Sequence, residues 1–217
     1  MTLDELAIKY GTDKSSLSHN YTPLYERYLP HHSKGSLLEL GWGGHEDPDK
    51  GGESARMWRD YYPSWTVQVI DNEPKNFSDI GIRLAQGDQA DQRFTDGIAV
   101  TSGPWDVIID DASHLSSLTI ASFKNLWPHL KPGGLYVVED THSSYHDFYY
   151  GPQQASRNPD ARRSTAMHFL KRLADEANFA NSGEEWDLFP PEFWLGYEVE
   201  AVHFHYNIAF VQKRTAP

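Results

Sequence analysis

The sequence predicts an α/β fold in which a mostly parallel sheet is covered by helices on both faces. Short apolar runs alternate along the chain with segments of helical length, which is the pattern of a doubly wound sheet. The runs "VII" (107–109) and "LYVV" (135–138) are continuously apolar, as expected for strands that are buried on both faces. Several runs end in an acid, so we expect the carboxyl ends of the strands, where ligands bind in such sheets, to be acidic.

The elements can be assigned in order from the N-terminus. Thr2 and Glu5 form a capping-box pattern that predicts a short helix in "TLDELAIKY", and "YTPLYERYLP" predicts a second helix. The core is then predicted to contain strand 36–40, helix 53–62, strand 66–72, strand 82–91, strand 106–111, helix 117–130 and strand 135–140. A helix in 162–178 and two closing strands within 197–213 complete the prediction.

Composition limits the classes of function. The 217 residues carry a formal net charge of −12, so neither nucleic acid nor an anionic membrane is an expected partner. The chain contains no cysteine, which excludes disulfides and zinc–sulfur sites. Its first residues lack the basic and apolar regions of a signal peptide, and no apolar run approaches the ~20 residues that span a bilayer. We therefore expect a cytoplasmic protein with a single domain over residues 1–217.

Two acidic pairs follow predicted neighbouring strands. They are Asp110–Asp111 in "DVIIDDASH" and Glu139–Asp140 in "VVEDTHSSY", and each pair has a histidine two or three residues later. Buried like charges repel one another unless a cation compensates them, and carboxylate oxygens are ligands that suit Mg²⁺. The alternative is that these acids cap helices or pair with Arg and Lys. Since side chains alternate along a strand, Asp110 and Asp111 should have different roles.

A glycine turn follows the first predicted strand, in "LLELGWGGHEDPDKGG". It lacks the G-x-G-x-x-G spacing of a dinucleotide-binding turn because position 46 is Glu, and the chain has no G-x-x-x-x-G-K-[ST] phosphate loop. The turn therefore suits a ligand without phosphates, and Asp71, the acid after the second strand, suits ribose hydroxyls. S-Adenosylmethionine meets this description, because it combines ribose, adenine and an amino-acid cation without any phosphate.

These motifs carry a family resemblance. "LLELGWGG", "VIDN", "GDQAD" and "VIIDDASH" resemble the ordered motifs of class I S-adenosylmethionine-dependent methyltransferases. "YGTDKSSLSHNYTPLYERYL", "DDASH" and "VVEDTHSSY" are more specific and are similar to the metal-dependent sugar O-methyltransferases of macrolide biosynthesis, of the demethylmacrocin and mycinamicin type. The chain also resembles the mycobacterial methyltransferases of methylmannose polysaccharide synthesis. The resemblance implies a Rossmann-like class I fold with an antiparallel C-terminal strand.

The resemblance also implies an activity: Mg²⁺-dependent transfer of methyl from S-adenosylmethionine to a sugar hydroxyl. The acceptor would be a glycoside or oligosaccharide, such as a natural-product sugar or a mannoside of methylmannose polysaccharide. By this resemblance Asp111, Glu139 and Asp140 hold the magnesium ion. His114 is the expected general base, which would remove the proton of the hydroxyl, and His142 is a second candidate. The alternative for His114 is a histidine that starts a helix and bonds to backbone.

The expected cofactor-binding residues come from the strand ends and from an N-terminal helical segment, 1–33. They are Thr12, Asp13, Lys14, His19, Tyr21, Glu39, Gly41, Gly43, Asp71, Asp88, Gln89 and Asp110. By the resemblance the N-terminal segment covers the cofactor, and the alternative is ordinary packing of a helix-loop-helix. Among the strand-end residues, Glu39, Gly41 and Gly43 should border the methionine part of the cofactor, and Asp88 with Gln89 should bind the adenine.

The polar, aromatic segment 141–163 follows the second acidic pair and is predicted to be a substrate lid. Its Tyr145, Tyr149 and Tyr150 suit a sugar ring, or they anchor the loop. The aromatic stretch "EEWDLFPPEFWLGYE" is interpreted as a partner-chain contact, an acceptor wall or core, and we expect a homo-oligomer, with a dimer favoured. Three other functions stay open: methylation of a catechol or phenol, Mg²⁺-dependent hydrolysis, and non-catalytic binding of S-adenosylmethionine.

Overall fold

A seven-stranded sheet lies at the centre of the computed structural model, which describes residues 1–77, 79–146, 163–179 and 195–215. Its strand order is β3-β2-β1-β4-β5-β7-β6. The strands are β1 (Ser36–Leu40), β2 (Thr66–Asp71), β3 (Ile82–Gln86), β4 (Trp105–Asp110), β5 (Leu130–Val138), β6 (Val199–His205) and β7 (Ile208–Lys213). Neighbours among β1 to β5 pair in parallel, whereas β7 is antiparallel to β5 and β6. The predicted mostly parallel sheet with an antiparallel C-terminal strand is confirmed.

Helices cover both faces of the sheet. The described helices are α1 (Leu3–Tyr10), α2 (Thr22–Tyr28), α3 (Glu53–Tyr61), α4 (Gln92–Ser102), α5 (Ser116–Leu126) and α6 (Ala166–Phe179), with 3₁₀ turns at Trp127–His129 and Thr141–Tyr145. The first three helices share one apolar core with one face of the sheet, and α4, α5 and α6 share a second core with the other face. Within the described residues, no helix has both the length and the apolar character needed to cross a membrane.

The central strands contribute side chains to both cores in alternation. In β4, Val107 and Ile109 join the core under α1–α3, while Ile108 joins the core under α4–α6. All three are fully buried, and complete burial of such a side chain contributes about 1.5–3 kcal/mol. The continuous apolar run is therefore a requirement of this position in the sheet.

The prediction differs from the structure in four places. Helix α4 was not predicted, although Asp91 caps it by accepting hydrogen bonds from the backbone N–H groups of Arg93 and Phe94. The strand predicted over 82–91 ends at Gln86, because the chain turns there to reach this cap. Residues 131–134, "KPGG", fall between the predicted helix 117–130 and the predicted strand 135–140, but they lie within β5. The predicted helix 117–130 correspondingly ends at Leu126.

The N-terminal helix agrees with its sequence pattern. The Thr2 side chain accepts from the backbone N–H of Glu5, and the Glu5 carboxylate accepts from the backbone N–H of Thr2, which completes the capping box. Gly11 ends α1 with a φ of 76°, a left-handed conformation that favours glycine. The chain then passes through a short loop into α2, and this loop lies over the carboxyl ends of the strands, where Lys14 meets Asp111.

Candidate functional site

A cavity of about 540 Å³ lies at the carboxyl ends of β1, β2 and β4. Strand β1 lies between β2 and β4, so the cavity occupies the point where the strand order reverses, the usual ligand site of such sheets. Its wall includes six of the residues expected to bind a cofactor: Asp13, Gly41, Gly43, Asp71, Asp88 and Gln89. Asp111 and His114 line the same cavity.

The glycine turn brings β1 close to the neighbouring strand ends. Gly41 has a φ of 98°, and a Cβ atom there would lie 2.3 Å from the backbone oxygen of Asp111. Glycine is therefore required by the approach of β1 to β4, independently of any ligand. The backbone N–H of Trp42 donates to the Asp71 carboxylate at 2.8 Å, which ties the turn to the end of β2. Gly43 also has a positive φ, of 80°, and faces the cavity.

Three polar residues of the cavity wall are held by hydrogen bonds to other parts of the chain. The Asp71 carboxylate accepts a second bond, from the backbone N–H of Glu73, at 2.8 Å. Asp88 lies in the turn after β3, where its carboxylate accepts from the backbone N–H of Ala90. Gln89 is buried, and its amide donates to the Ser122 hydroxyl at 3.2 Å. These bonds fix polar groups along the wall of the cavity.

A cluster of two acids and one histidine forms a second part of the site. Asp111, His114 and Asp140 each offer one donor atom, and these atoms lie within 4.8 Å of one another. His114 Nε2 lies 3.4 Å from Asp140 Oδ2. Two carboxylates beside an imidazole make a donor set that fits a divalent cation, with the carboxylate oxygens suited to Mg²⁺.

The backbone of this cluster has an uncommon conformation. His114 has a φ of 55° and Asp140 a φ of 49°, both in the left-handed region. Such conformations cost about 1–3 kcal/mol in residues other than glycine, and they concentrate at functional sites, although Asp and His tolerate them better than most residues.

Lys14 inserts a positive charge among the acids. Its side chain is fully buried, and its ammonium lies 2.9 Å from Glu139, 3.8 Å from Glu39 and in contact with Asp111. Burial alone would lower the pKa of Lys14, but the nearby carboxylates, led by Asp111 and Glu139, outweigh burial and raise that pKa well above its ordinary value. This shift favours the charged form of Lys14 in the cluster. Glu139 faces Lys14 and is not part of the group formed by Asp111, His114 and Asp140.

Two tyrosines at the start of α2 also contact the acids. The Tyr21 hydroxyl donates to Asp140 Oδ1 at 2.8 Å, and the Tyr25 hydroxyl donates to Glu139 Oε1. Tyr25 was not singled out in the sequence. Its spacing of four residues from Tyr21, in "YTPLY", is the signal that places both side chains on one helix face.

Two acids expected to bind the cofactor lie outside the cavity wall. Glu39 is buried beneath α3, where it accepts hydrogen bonds from Ser54 at 2.9 Å and Trp58 at 3.1 Å, and burial raises its pKa to about 7. Asp110 is buried on the opposite face beneath α5, where it accepts from the Ser122 hydroxyl at 2.7 Å, and burial raises its pKa to about 6. Both side chains point away from the cavity because of the alternation along their strands.

The remaining predicted residues lie near Asp140, elsewhere in the described chain, or outside the described residues. His19 Nδ1 is 3.7 Å and His142 Nδ1 is 3.9 Å from Asp140 Oδ1, and burial lowers the pKa of His142.

Thr12 is buried, and its hydroxyl donates to the Asp13 carboxylate at 3.5 Å. Tyr145 is exposed. Tyr149, Tyr150 and the greater part of the predicted lid lie outside the described residues, as does the aromatic stretch up to residue 194.

Comparisons with known proteins find relatives of one kind. The chain is 35% identical over 214 residues to mycinamicin VI 2''-O-methyltransferase of Micromonospora griseorubida, covering 97% of this chain and 52% of that protein. It is 36% identical over 214 residues to 8-demethyl-8-alpha-L-rhamnosyl tetracenomycin-C 2'-O-methyltransferase of Streptomyces olivaceus, covering 96% of this chain and 54% of that protein. The chain is therefore similar to these O-methyltransferases over about half of their length.

A solved structure shows the same similarity. The MycE methyltransferase of the mycinamycin pathway, in complex with Mg, SAH and mycinamycin VI, superposes with a TM-score of 0.86 at 33% identity. The match covers 99% of this chain and 54% of MycE. The chain thus spans about half the length of the relatives it matches. No family model matches the chain. The resemblance expected from the sequence motifs, and the class I methyltransferase fold it implied, are confirmed.

Proposed function

We propose that the chain transfers a methyl group from S-adenosylmethionine to a sugar hydroxyl with the help of Mg²⁺. The observation that carries this proposal is a single cavity whose wall includes Asp71 at the end of β2 and Asp111 and His114 after β4. Groups suited to a nucleoside and groups suited to a divalent cation therefore share one space. The names of the relatives support the same reaction, since they methylate sugars of mycinamicin and tetracenomycin.

The cofactor half of the site fits a nucleoside without phosphates. When bound, S-adenosylmethionine supplies a methyl group on a positively charged sulfur. Two bonds from backbone N–H groups leave lone pairs on the Asp71 carboxylate for ribose hydroxyls. Asp88 and Gln89 stand where they would meet the adenine, and Gly43 presents backbone to the ligand.

The second half of the site fits a divalent cation next to the cofactor. Asp111 and Asp140 would hold Mg²⁺, with Glu139 as the further predicted ligand. When bound, the cation would lower the pKa of a sugar hydroxyl and orient it. His114, which lines the cavity, would accept the proton that the hydroxyl loses. The fixed wall of the cavity would hold the reactants in line, and such positioning supplies a large part of the acceleration.

The acceptor we propose is the sugar of a natural-product glycoside, because the relatives named above act on such compounds. A mannoside of methylmannose polysaccharide synthesis is the second sugar acceptor, and the predicted lid 141–163 would contact either one. We also propose that the chain is a cytoplasmic, homo-oligomeric biosynthetic enzyme with a single domain. A Mg²⁺-dependent hydrolase is the less favoured function, since it would have no use for the glycine turn and Asp71.

The test is an acceptor screen with S-adenosylmethionine labelled in the methyl group. Rhamnosyl tetracenomycin C, mycinamicin VI, methyl mannosides and catechol are each incubated with the purified chain and Mg²⁺, and NMR locates the new methyl group. We expect label on a sugar hydroxyl. Label on catechol alone would replace the sugar with a phenolic acceptor. If calorimetry detects no binding of S-adenosylmethionine, the proposal is wrong.

A further inference from the structure

Two buried tyrosines contact the adjacent acids that follow β5. Tyr21 and Tyr25 are 1% and 0% exposed and stand four residues apart at the start of α2. The Tyr21 hydroxyl donates to Asp140 Oδ1 at 2.8 Å, and the Tyr25 hydroxyl donates to Glu139 Oε1. One helix face therefore supplies one phenol to each acid of the pair.

The hydrogen bonds of the Tyr21 hydroxyl indicate a role beyond core packing. A buried phenol needs a hydrogen-bond partner, and the backbone oxygen of Asn207 is within reach of Tyr21 at 3.2 Å. The shorter bond nevertheless goes to Asp140. That bond fixes Oδ1 of Asp140, while Oδ2 lies 3.4 Å from His114 in the cluster of donor atoms. The tyrosine thus determines which oxygen of Asp140 faces the site.

Glu139 is held in a similar way from two sides. Tyr25 donates to Oε1, and the Lys14 ammonium lies 2.9 Å from the same carboxylate. These two contacts fix the orientation of the Glu139 carboxyl group, and its oxygens keep further lone pairs that can accept a bond. Tyr25 itself is locked by edge-on packing against Trp58 and Phe210, at centroid distances of 4.9 and 5.6 Å.

We propose that Tyr21 and Tyr25 are positioning residues for the cation site, which orient Asp140 and Glu139 by one hydrogen bond each. This inference rests on the proposed function, because it requires that a divalent cation binds there. Partners that orient metal ligands typically contribute 10–100-fold to metal affinity. The N-terminal segment therefore belongs to the cation site and does more than cover the cofactor. By reciprocity, cation binding stabilises the docking of α2 on the sheet.

The experiment measures binding of Mg²⁺ alone by calorimetry, without cofactor or acceptor. The variants are Tyr21→Phe and Tyr25→Phe, which remove a hydroxyl and keep the ring. The matched control is Tyr28→Phe on the same helix, whose hydroxyl lies 2.9 Å from His205 Nε2 and touches neither acid. We expect the Kd for Mg²⁺ to rise about tenfold or more in both variants, and to stay within about twofold of wild type in the control.

The outcomes separate this inference from the proposed function. If the wild-type chain binds Mg²⁺ and both variants bind it equally well, the tyrosines are structural and the inference is overturned. A lower Tm with an unchanged Kd leads to the same conclusion. Should one variant fail to fold, the other decides. If the wild-type chain itself binds no Mg²⁺, the metal-dependent function fails, and the positioning role fails with it.

Discussion

His114 Nε2 lies 3.4 Å from Asp140 Oδ2, and both residues have a left-handed backbone. They follow different strands, β4 and β5, which pair in parallel, so their approach results from the register of the sheet. The surrounding structure offsets a cost of about 1–3 kcal/mol for each of the two conformations. At this contact His114, the proposed proton acceptor, lies next to Asp140, a proposed ligand of the cation.

The first prediction concerns His114→Ala. If His114 is the base, the variant should fold, bind S-adenosylmethionine and Mg²⁺ normally, and lose about 100-fold or more in the rate of methyl transfer. Single-turnover kinetics together with Mg²⁺ calorimetry measure both properties. A loss of Mg²⁺ affinity would instead make His114 a ligand. Wild-type turnover would move the base elsewhere, and His142→Ala would be the next variant.

The second prediction concerns the carboxylates of the cation site. Asp111→Asn and Asp140→Asn each remove a negative charge, and each should raise the Kd for Mg²⁺ by about tenfold or more, while the Kd for S-adenosylmethionine changes less. Asp96→Asn is the control. Asp96 lies on α4, pairs with His129 and does not line the cavity. Calorimetry with each ligand alone is the measurement. Equal losses in the control and in the site variants would contradict a specific cation site.

The third prediction concerns the cofactor half of the site. Asp71→Ala removes an acceptor for ribose hydroxyls and releases the backbone N–H of Trp42. We expect the Kd for S-adenosylmethionine to rise about tenfold, which corresponds to about 1.4 kcal/mol, while Mg²⁺ affinity stays the same. Asp71→Asn keeps one acceptor oxygen and should have a smaller effect. An unchanged Kd in the alanine variant would remove Asp71 from the cofactor site.

The fourth prediction concerns the docking of α1 on α3, and it depends on pH. A hydrogen bond from Tyr10 is the main cause that lowers the pKa of Asp60 from 3.8 to about 2. Because the folded state depresses this pKa, the stabilisation is present above about pH 4 and is lost as the pH falls toward 2. Tyr10→Phe should lower the free energy of unfolding by about 1–2 kcal/mol at pH 7. Urea titrations should show the difference from wild type vanishing near pH 2, and a difference that persists there would contradict this assignment.

The central strands could be predicted from the sequence because burial on both faces leaves continuous apolar runs. Helix α4 could not be predicted in this way. Its sequence, "QRFTDGIAVTS", has a central glycine and threonines that favour helix weakly. The helix is held by the Asp91 cap and by packing of Ile98 and Ala99 against the sheet, and the second of these is a tertiary effect.

The parts of the candidate site that lie at strand ends could be predicted from the sequence. The contacts made by the N-terminal segment where it packs on the sheet were harder to predict. Asp111 and Asp140 come together because β4 and β5 pair in register. Lys14 reaches Asp111 across 97 positions of sequence, so no local pattern predicts their contact. Strand alternation, applied residue by residue, would have directed Glu39 and Asp110 to opposite cores and away from the cavity.

The most direct test of the account is methyl transfer to a sugar acceptor before and after removal of divalent cations. The purified chain is treated with EDTA, exchanged into cation-free buffer and assayed with labelled S-adenosylmethionine while Mg²⁺ is titrated back. We predict that transfer stops in EDTA, returns with Mg²⁺ and requires far more Mg²⁺ in Asp140→Asn. Full transfer in the presence of the chelator would contradict the account.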